Sequence, residues 1–236
     1  MTQELIKNFV LFYQPQYNYD GECVGVESLL RFYHSKYGMI YPPLVIKLAE
    51  ECGLLKKLEI AIFEKSLADY DKVKAKYGDV KLSINVTGKM VFESEFINMC
   101  RKMAEDKMFD SKHICVEVTE KAAIALNDNS LNILEELQGM GLKLAIDDFS
   151  MGHTSIQYLR HSIFDVIKLD GSLVKGLSSS NNCREIVASI IDLSRTLDMT
   201  VLAEYVETEE EKEMLHKMGC DNYQGHLFSK AEPLEQ

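Results

Sequence analysis

Leu144-Ala145-Ile146-Asp147-Asp148-Phe149 runs three apolar residues straight into two adjacent carboxylates. A short apolar run of this kind reads as a buried strand. Acids at its end are costly to bury unless a cation or a proton compensates them. Alone, the pair is better read as a strand end with a solvated turn. Repetition changes that reading. Four further runs end in polar groups: Ser83-Ile84-Asn85, Ile114-Cys115-Val116-Glu117, Val166-Ile167-Lys168-Leu169-Asp170 and Val201-Leu202-Ala203-Glu204. A fold that gathers its strand ends in one place would gather an amide, several carboxylates and one ammonium. Such a set suits a divalent metal with a cationic neighbour.

Around that stretch the chain alternates strands and helices. Residues 9–13 predict a strand ended by Gln14-Pro15, and Asp20-Gly21 predicts a turn into a second strand over 24–31. Glu27 and Arg31 share a face there; Glu27 alone fits a solvent-facing position equally well. Residues 32–41 read as a loop. Pro42-Pro43 opens a helix stopped by Gly53, and a long helix follows over 56–76. Strands are expected over 80–87, 114–119, 144–149, 164–169, 200–206 and 222–228. Helices are expected over 94–107, 130–138 and 156–160. A further helix after residue 182 turns Ile186, Val187, Ile190, Ile191, Leu193 and Leu197 toward the core. Thr208 and Glu211 form a capping box for the last helix, which ends at Gly219. Strands separated by helices imply parallel pairing through right-handed crossovers. Polar groups at so many strand ends favour a closed barrel, which brings those ends to one rim, over an open sheet with one switch point.

Length and composition agree. The chain has 236 residues, 46% hydrophobic and 27% charged, which suits one (β/α) barrel without a linker or internal repeat. The net charge of −11 disfavours nucleic-acid polymers and anionic membranes, and no stretch reads as a membrane-spanning segment. The N-terminus lacks the basic and apolar regions of a signal peptide. Six cysteines at wide, irregular spacing argue against a zinc cluster; they read as buried thiols of a cytoplasmic protein.

The gathered residues suggest a chemistry. Glu27, Asn85, Glu117 and Asp147 offer hard oxygen ligands for Mg2+ or Mn2+, and Asp148 could share a second ion. Two such ions clamp the attacking and leaving oxygens of a phosphodiester. Lys168 would stabilise developing negative charge, and Glu204 would take a proton from water. Lys168 could equally pair with Asp148 or Asp170, and Glu204 could be a capped strand end.

The motifs resemble the EAL domain, the cyclic di-GMP phosphodiesterase family. Tyr13-Gln14-Pro15, Glu27-Ser28-Leu29-Leu30-Arg31, Ser83-Ile84-Asn85-Val86-Thr87, Glu117-Val118-Thr119-Glu120 and Asp147-Asp148-Phe149 match its motifs in order. So do Lys168-Leu169-Asp170, Ala203-Glu204-Tyr205-Val206-Glu207-Thr208, and Gly219-Cys220-Asp221 with Gln224-Gly225. The resemblance implies an α/β fold, a single TIM-like (β/α)8 barrel with an antiparallel first strand, spanning residues 1–236. It implies hydrolysis of cyclic di-GMP to pGpG with two Mg2+ or Mn2+ ions. It places Glu27, Asn85, Glu117 and Asp147 on the first metal, and Asp147 with Asp148 on the second. Glu204 and Lys168 become catalytic. Gln14, Arg31, Asp170, Glu207 and Gln224 become substrate-binding, and Glu120 anchors the loop over 150–155. It also implies a homodimer, and an output domain carried behind a sensor or GGDEF domain. Four departures stand out: Ser28 for Ala, Val45 for Phe, Tyr205 for Gly, and an altered 150–155 loop. The ring of Tyr205 is expected to point away from the substrate. A non-catalytic cyclic di-GMP receptor and a metal-dependent barrel acting on a carboxylate substrate remain as alternatives. Retention of every metal ligand favours the enzyme.

Overall fold

The opening hairpin sets the direction of every later strand. β1 (Phe9–Asn18) and β2 (Cys23–His34) pair antiparallel, with Gln14 opposite Glu27. The computed structural model describes residues 6, 8–105, 110–119, 128–149 and 163–234. β1 runs through Pro15, where the sequence predicts its end. Tyr13 exchanges backbone hydrogen bonds with Glu232 on the side away from β2. Pro15, two residues on, turns its missing N–H to that same side, so the hairpin loses no rung. β2 also outruns its expected end. It folds back into β3 (Gly38–Ile40), with Phe32 opposite Ile40, where a loop is expected.

From β2 the sheet continues in parallel through β4 (Lys81–Val86), β5 (Ile114–Thr119), β6 (Lys143–Phe149), β7 (Val166–Leu169), β8 (Thr200–Ala203) and β9 (Asn222–Tyr223). β9 then pairs antiparallel with β1 and closes the ring. Eight strands form the barrel, β1 alone runs against the rest, and β3 lies outside on the edge of β2. The expected TIM-like barrel with an antiparallel first strand is present.

Around it lie α1 (Pro42–Glu51), α2 (Leu55–Ala68), α3 (Tyr70–Tyr77), α4 (Gly88–Val91), α5 (Ser94–Glu105), α6 (Asp128–Gly139), α7 (Gly171–Gly176), α8 (Asn181–Thr196) and α9 (Glu209–Met218). Each strand alternates two environments. Leu82, Ile84 and Val86 of β4, Val116 and Val118 of β5, and Leu144 and Ile146 of β6 join the apolar layer that includes Leu58, Phe63 and Phe96 of the helices. Phe63 and Phe96 meet edge to face at 5.0 Å. The alternate positions carry Ser83 and Asn85, Glu117, Asp147 and Lys168. Burial of the helical layer therefore holds the strands while their other face is left for polar groups.

Several local expectations are corrected. The helix over 56–76 is two, α2 and α3, bent at Asp69, whose carboxylate takes the Tyr13 hydroxyl at 2.9 Å. The strand expected from 164 begins at Val166, because the Asp165 carboxylate instead binds Lys143 Nζ at 2.6 Å and the Leu144 N–H at 3.0 Å. β8 stops at Ala203 and β9 at Tyr223, both earlier than expected. α7 was not foreseen; it has only six residues, too few to show a period. Ile186 and Leu193 lie on the outer side of α8, each 37% exposed, while Val187, Ile190 and Ile191 face the core. Only Cys100, Cys115 and Cys220 are buried; Cys23 and Cys183 are half-buried and Cys52 is exposed. The capping box of α9 forms as expected, and Gly219 ends it in the left-handed region. The 150–155 loop, the helix over 156–160 and Glu120 lie outside the described residues.

Gly225 shows how tightly the closing seam is built. Val206 N–H donates to Gln224 O at 3.1 Å, and Leu227 N–H donates to Val206 O at 3.1 Å. A Cβ at 225 would stand 2.7 Å from the Val206 carbonyl carbon. Backbone cannot swing aside as a side chain can. Gly225→Ala is expected to cost about 1–3 kcal/mol by overpacking, read as a lower denaturant midpoint in chemical unfolding.

Candidate active site

Lys168 projects from the middle of β7 into the barrel and is 1% exposed. Its ammonium lies 2.6 Å from Glu117, 2.9 Å from Glu204, 3.0 Å from Asp147 and 3.4 Å from Glu27. Four strands thus deliver four carboxylates to one cation. The sequence-level alternatives for Lys168, pairing with Asp148 or Asp170, give way to this arrangement. Glu117 accepts a hydrogen bond from Lys168 at 2.6 Å. Asp147 Oδ1 is close to the ammonium but out of alignment, a buried oxygen with no hydrogen-bond donor.

The adjacent acids pose a geometric problem. Neighbours on a regular strand point to opposite faces. The β6–β7 register shifts between Ile146 and Phe149, and Asp148 takes φ +57°. A bulge with a left-handed Asp breaks the alternation. Ligand oxygens of Asp147, Asp148 and Glu204 consequently lie within 4.8 Å of one another.

Glu27 is fixed from two sides. Asn85 Nδ2 donates to Glu27 Oε1 at 2.7 Å, which leaves the amide oxygen of Asn85 as its acceptor. Gln224 Nε2 donates to Glu27 Oε2 at 2.6 Å and to Gln14 Oε1 at 3.2 Å. Gln16 Nε2 in turn donates to Gln224 Oε1 at 2.9 Å. Gln16 was missed by sequence reasoning, although glutamines two apart on one strand were a readable sign of a polar interior face. Glu59 was missed as well. This buried carboxylate on α2 takes the Thr87 N–H at 2.9 Å, just beyond the β4 end that carries Asn85.

Charge does not balance in this core. Among the described residues, four buried carboxylates face one ammonium. Burial pushes Glu204 up to about 8; Lys168 opposes that shift, and Asp147 and Glu27 reinforce it. Glu117 is pushed well above the usual carboxylate range by burial and by Glu27 and Asp147, against the pull of Lys168. For Glu27, burial acts upward, but Lys168 and the amides of Gln224 and Asn85 outweigh it and lower its pKa. Burial alone would lower Lys168; the surrounding carboxylates hold it well above its usual value. The cluster thus lacks positive charge, and protons supply part of it. Hard oxygen donors, an unaligned buried carboxylate oxygen and this deficit all fit divalent cations.

Above the cluster opens a cleft of about 1030 Å³. Gln14, Arg31, Glu207 and Gln224 line it, as do Asp147, Asp148 and Glu204. Arg31 lies over the Phe12 ring at 5.6 Å. The Asp170 carboxylate caps α7 by accepting from the Ser172 N–H. Tyr205 is a correction. Its ring does not turn away but lines the cleft, 56% exposed, with φ +55°. Ser28 places its hydroxyl 3.0 Å from Ser66 Oγ, so the extra oxygen relative to Ala has a partner.

The EAL domain family profile matches residues 2–231. The chain belongs to the EAL domain family. This EAL domain is 32% identical, over 98% of its length, to the Pseudomonas aeruginosa bifunctional diguanylate cyclase/cyclic di-GMP phosphodiesterase MucR, and covers 34% of that protein. It is 32% identical over 96% of its length to the Escherichia coli cyclic di-GMP phosphodiesterase PdeF, covering 30% of it. It spans about a third of the length of these curated relatives. A solved MucR phosphodiesterase structure in complex with c-di-GMP superposes with a TM-score of 0.89 at 31% identity, over 96% of this chain and 93% of that one. The EAL enzyme Bd1971, solved with cAMP and cyclic di-GMP, superposes with a TM-score of 0.89 at 30% identity, over 97% and 63%. Among the described residues of this EAL domain, no helix is long and apolar enough to cross a membrane.

The raised Glu204 makes a stability prediction for metal-stripped protein. A carboxyl held protonated in the folded state stabilises it below the unfolded pKa. That stabilisation is lost as pH rises through the folded pKa of about 8. Thermal unfolding in EDTA is expected to show a lower Tm at pH 9 than at pH 6, and Glu204→Gln to flatten that dependence. An unchanged slope in Glu204→Gln would reject the account.

Proposed function

We propose that this cleft hydrolyses cyclic di-GMP to linear pGpG with two Mg2+ or Mn2+ ions. The observation that carries the reading is the excess of buried carboxylates over Lys168 at the floor of a cleft wide enough for a dinucleotide. The EAL family and relatives named as cyclic di-GMP phosphodiesterases support it. Glu27, Asn85, Glu117 and Asp147 would hold the first ion, and Asp147 with Asp148 the second. Bound there, such ions activate water and neutralise charge on the phosphoryl oxygens.

The chain's own groups do the rest. Once cations replace the protons of the cluster, Glu204 would stand as a carboxylate and accept the proton that the attacking water loses. The water oxygen bonds to phosphorus, the bond from phosphorus to the sugar oxygen breaks, that oxygen takes a proton from solvent to become a hydroxyl, and the ring opens. Lys168 stays protonated among its carboxylates, so it serves as a fixed charge rather than a base. Arg31, on the cleft wall, contacts a substrate phosphate. Gln14, Glu207 and Gln224 line the bound dinucleotide, and Gln224, itself held by Gln14, also fixes Glu27. We infer further that residues 1–236 act as one EAL output domain, in the cytoplasm and as a homodimer, downstream of a sensor or GGDEF domain.

The test is product analysis with cyclic di-GMP and Mg2+. Glu204→Gln should lose roughly 10²–10⁴ in turnover, the usual share of general-base catalysis, with substrate affinity nearly unchanged. Asn85→Ala should abolish turnover while the fold persists. Wild-type turnover in Asn85→Ala at saturating Mg2+ would defeat the metal assignment. Tight binding without pGpG in the wild type would make the domain a receptor instead.

A further inference from the structure

Tyr205 follows Glu204 directly and holds φ +55°. A left-handed backbone is strained for an aromatic residue, and such strain persists where the surroundings impose it. α7 supplies the support. Gly171 lies so close under the ring that a Cβ there would stand 2.7 Å from Tyr205 Cγ and 3.0 Å from its Cβ. One turn further, Lys175 Nζ stands 5.7 Å from the ring centroid. The ring is thus propped from its own side of the barrel, while 56% of the residue stays exposed on the cleft. So exposed a ring adds little to the core. Its position beside Glu204 suits contact with whatever lies over the carboxylates.

We propose that Tyr205 is a stacking platform for one purine of the dinucleotide, and that Gly171 exists at its position to let the ring lie in place. The inference rests on the cyclic di-GMP reading of the cleft. An aromatic face stacks any purine, so Tyr205 contributes affinity without choosing between bases. Lys175 adds a positive charge to the same rim, where an anionic ligand approaches a carboxylate-rich floor.

The experiment measures Kd with Ca2+ in place of Mg2+, and kcat and KM with Mg2+, for wild type, Tyr205→Ala, Tyr205→Phe, Tyr205→Gly and Gly171→Ala. Tyr205→Ala is expected to raise Kd and KM for cyclic di-GMP roughly 5- to 100-fold, the range of one base–aromatic stack. Its kcat should stay within about threefold of wild type, since the ring is not asked to act in the transition state. Affinity for cyclic di-AMP should fall by the same factor, and Tyr205→Phe should match wild type. Tyr205→Gly should bind as weakly as Tyr205→Ala yet melt roughly 2–4 °C higher through relief of the strained φ. Gly171→Ala should weaken binding in the wild type and have no further effect in Tyr205→Gly. Equal affinity in wild type and Tyr205→Ala would overturn this inference alone, as would a Tyr205→Phe as weak as Tyr205→Ala. A wild type that neither binds nor hydrolyses cyclic di-GMP would overturn the functional reading and this inference together.

Discussion

A single ammonium among four carboxylates is the constraint on which the barrel interior depends. Lys168 reaches Glu27, Glu117, Asp147 and Glu204 from four different strands, all within 3.4 Å. Like charges at this spacing repel strongly in a medium that water does not screen. Removing the cation would leave that repulsion uncompensated. Keeping it still leaves the cluster short of positive charge. The raised Glu204 and Glu117 express that shortage as proton uptake. The cluster therefore contributes little to stability by itself. The apolar layer outside the strands, from Leu82 to Phe96, tolerates the cost and holds the acids in place.

Two backbone irregularities make the cluster usable. A strictly regular β6 would send Asp147 and Asp148 to opposite faces. The bulge and the left-handed Asp148 turn both toward the rim. After β8, Tyr205 takes the same region of conformational space directly behind Glu204. In each case a residue in the left-handed region adjoins a carboxylate of the cluster, where the surrounding structure imposes the strain. Behind them Asn85 and Gln224 each hold one oxygen of Glu27, and Gln14 and Gln16 of β1 hold Gln224. These side chains bridge the antiparallel hairpin to the end of the closing strand, so closure of the barrel also orients Glu27.

The departures from the family's usual residues fall into distinct physical situations. Ser28 adds a hydroxyl on the helix-facing side, and Ser66 of α2 meets it. Val45 lies on the buried face of α1 and is simply a smaller core residue. Tyr205 instead puts an aromatic ring on the rim of the cleft, 56% exposed and outside the core.

Much of this was legible along the chain. Apolar runs ending in Asn85, Glu117, Asp147, Lys168 and Glu204 announced both the parallel strands and their shared rim, because strand periodicity and right-handed crossovers leave few other arrangements. Caps at Pro42, Thr208 and Gly219 were local and read correctly for the same reason. What the tertiary structure alone decided depends on contacts distant in sequence. Pro15 sits inside a strand because its missing N–H faces away from β2, on the side where Tyr13 meets Glu232. Asp170 caps a short helix, a placement set by where β7 ends. Lys168 finds four partners because barrel closure brings them together, while any pair of neighbours in sequence would have offered it Asp170. The conformation of Asp148, the tilt of the Tyr205 ring over Gly171 and the glutamine bridge all follow from that closure, which no local pattern encodes.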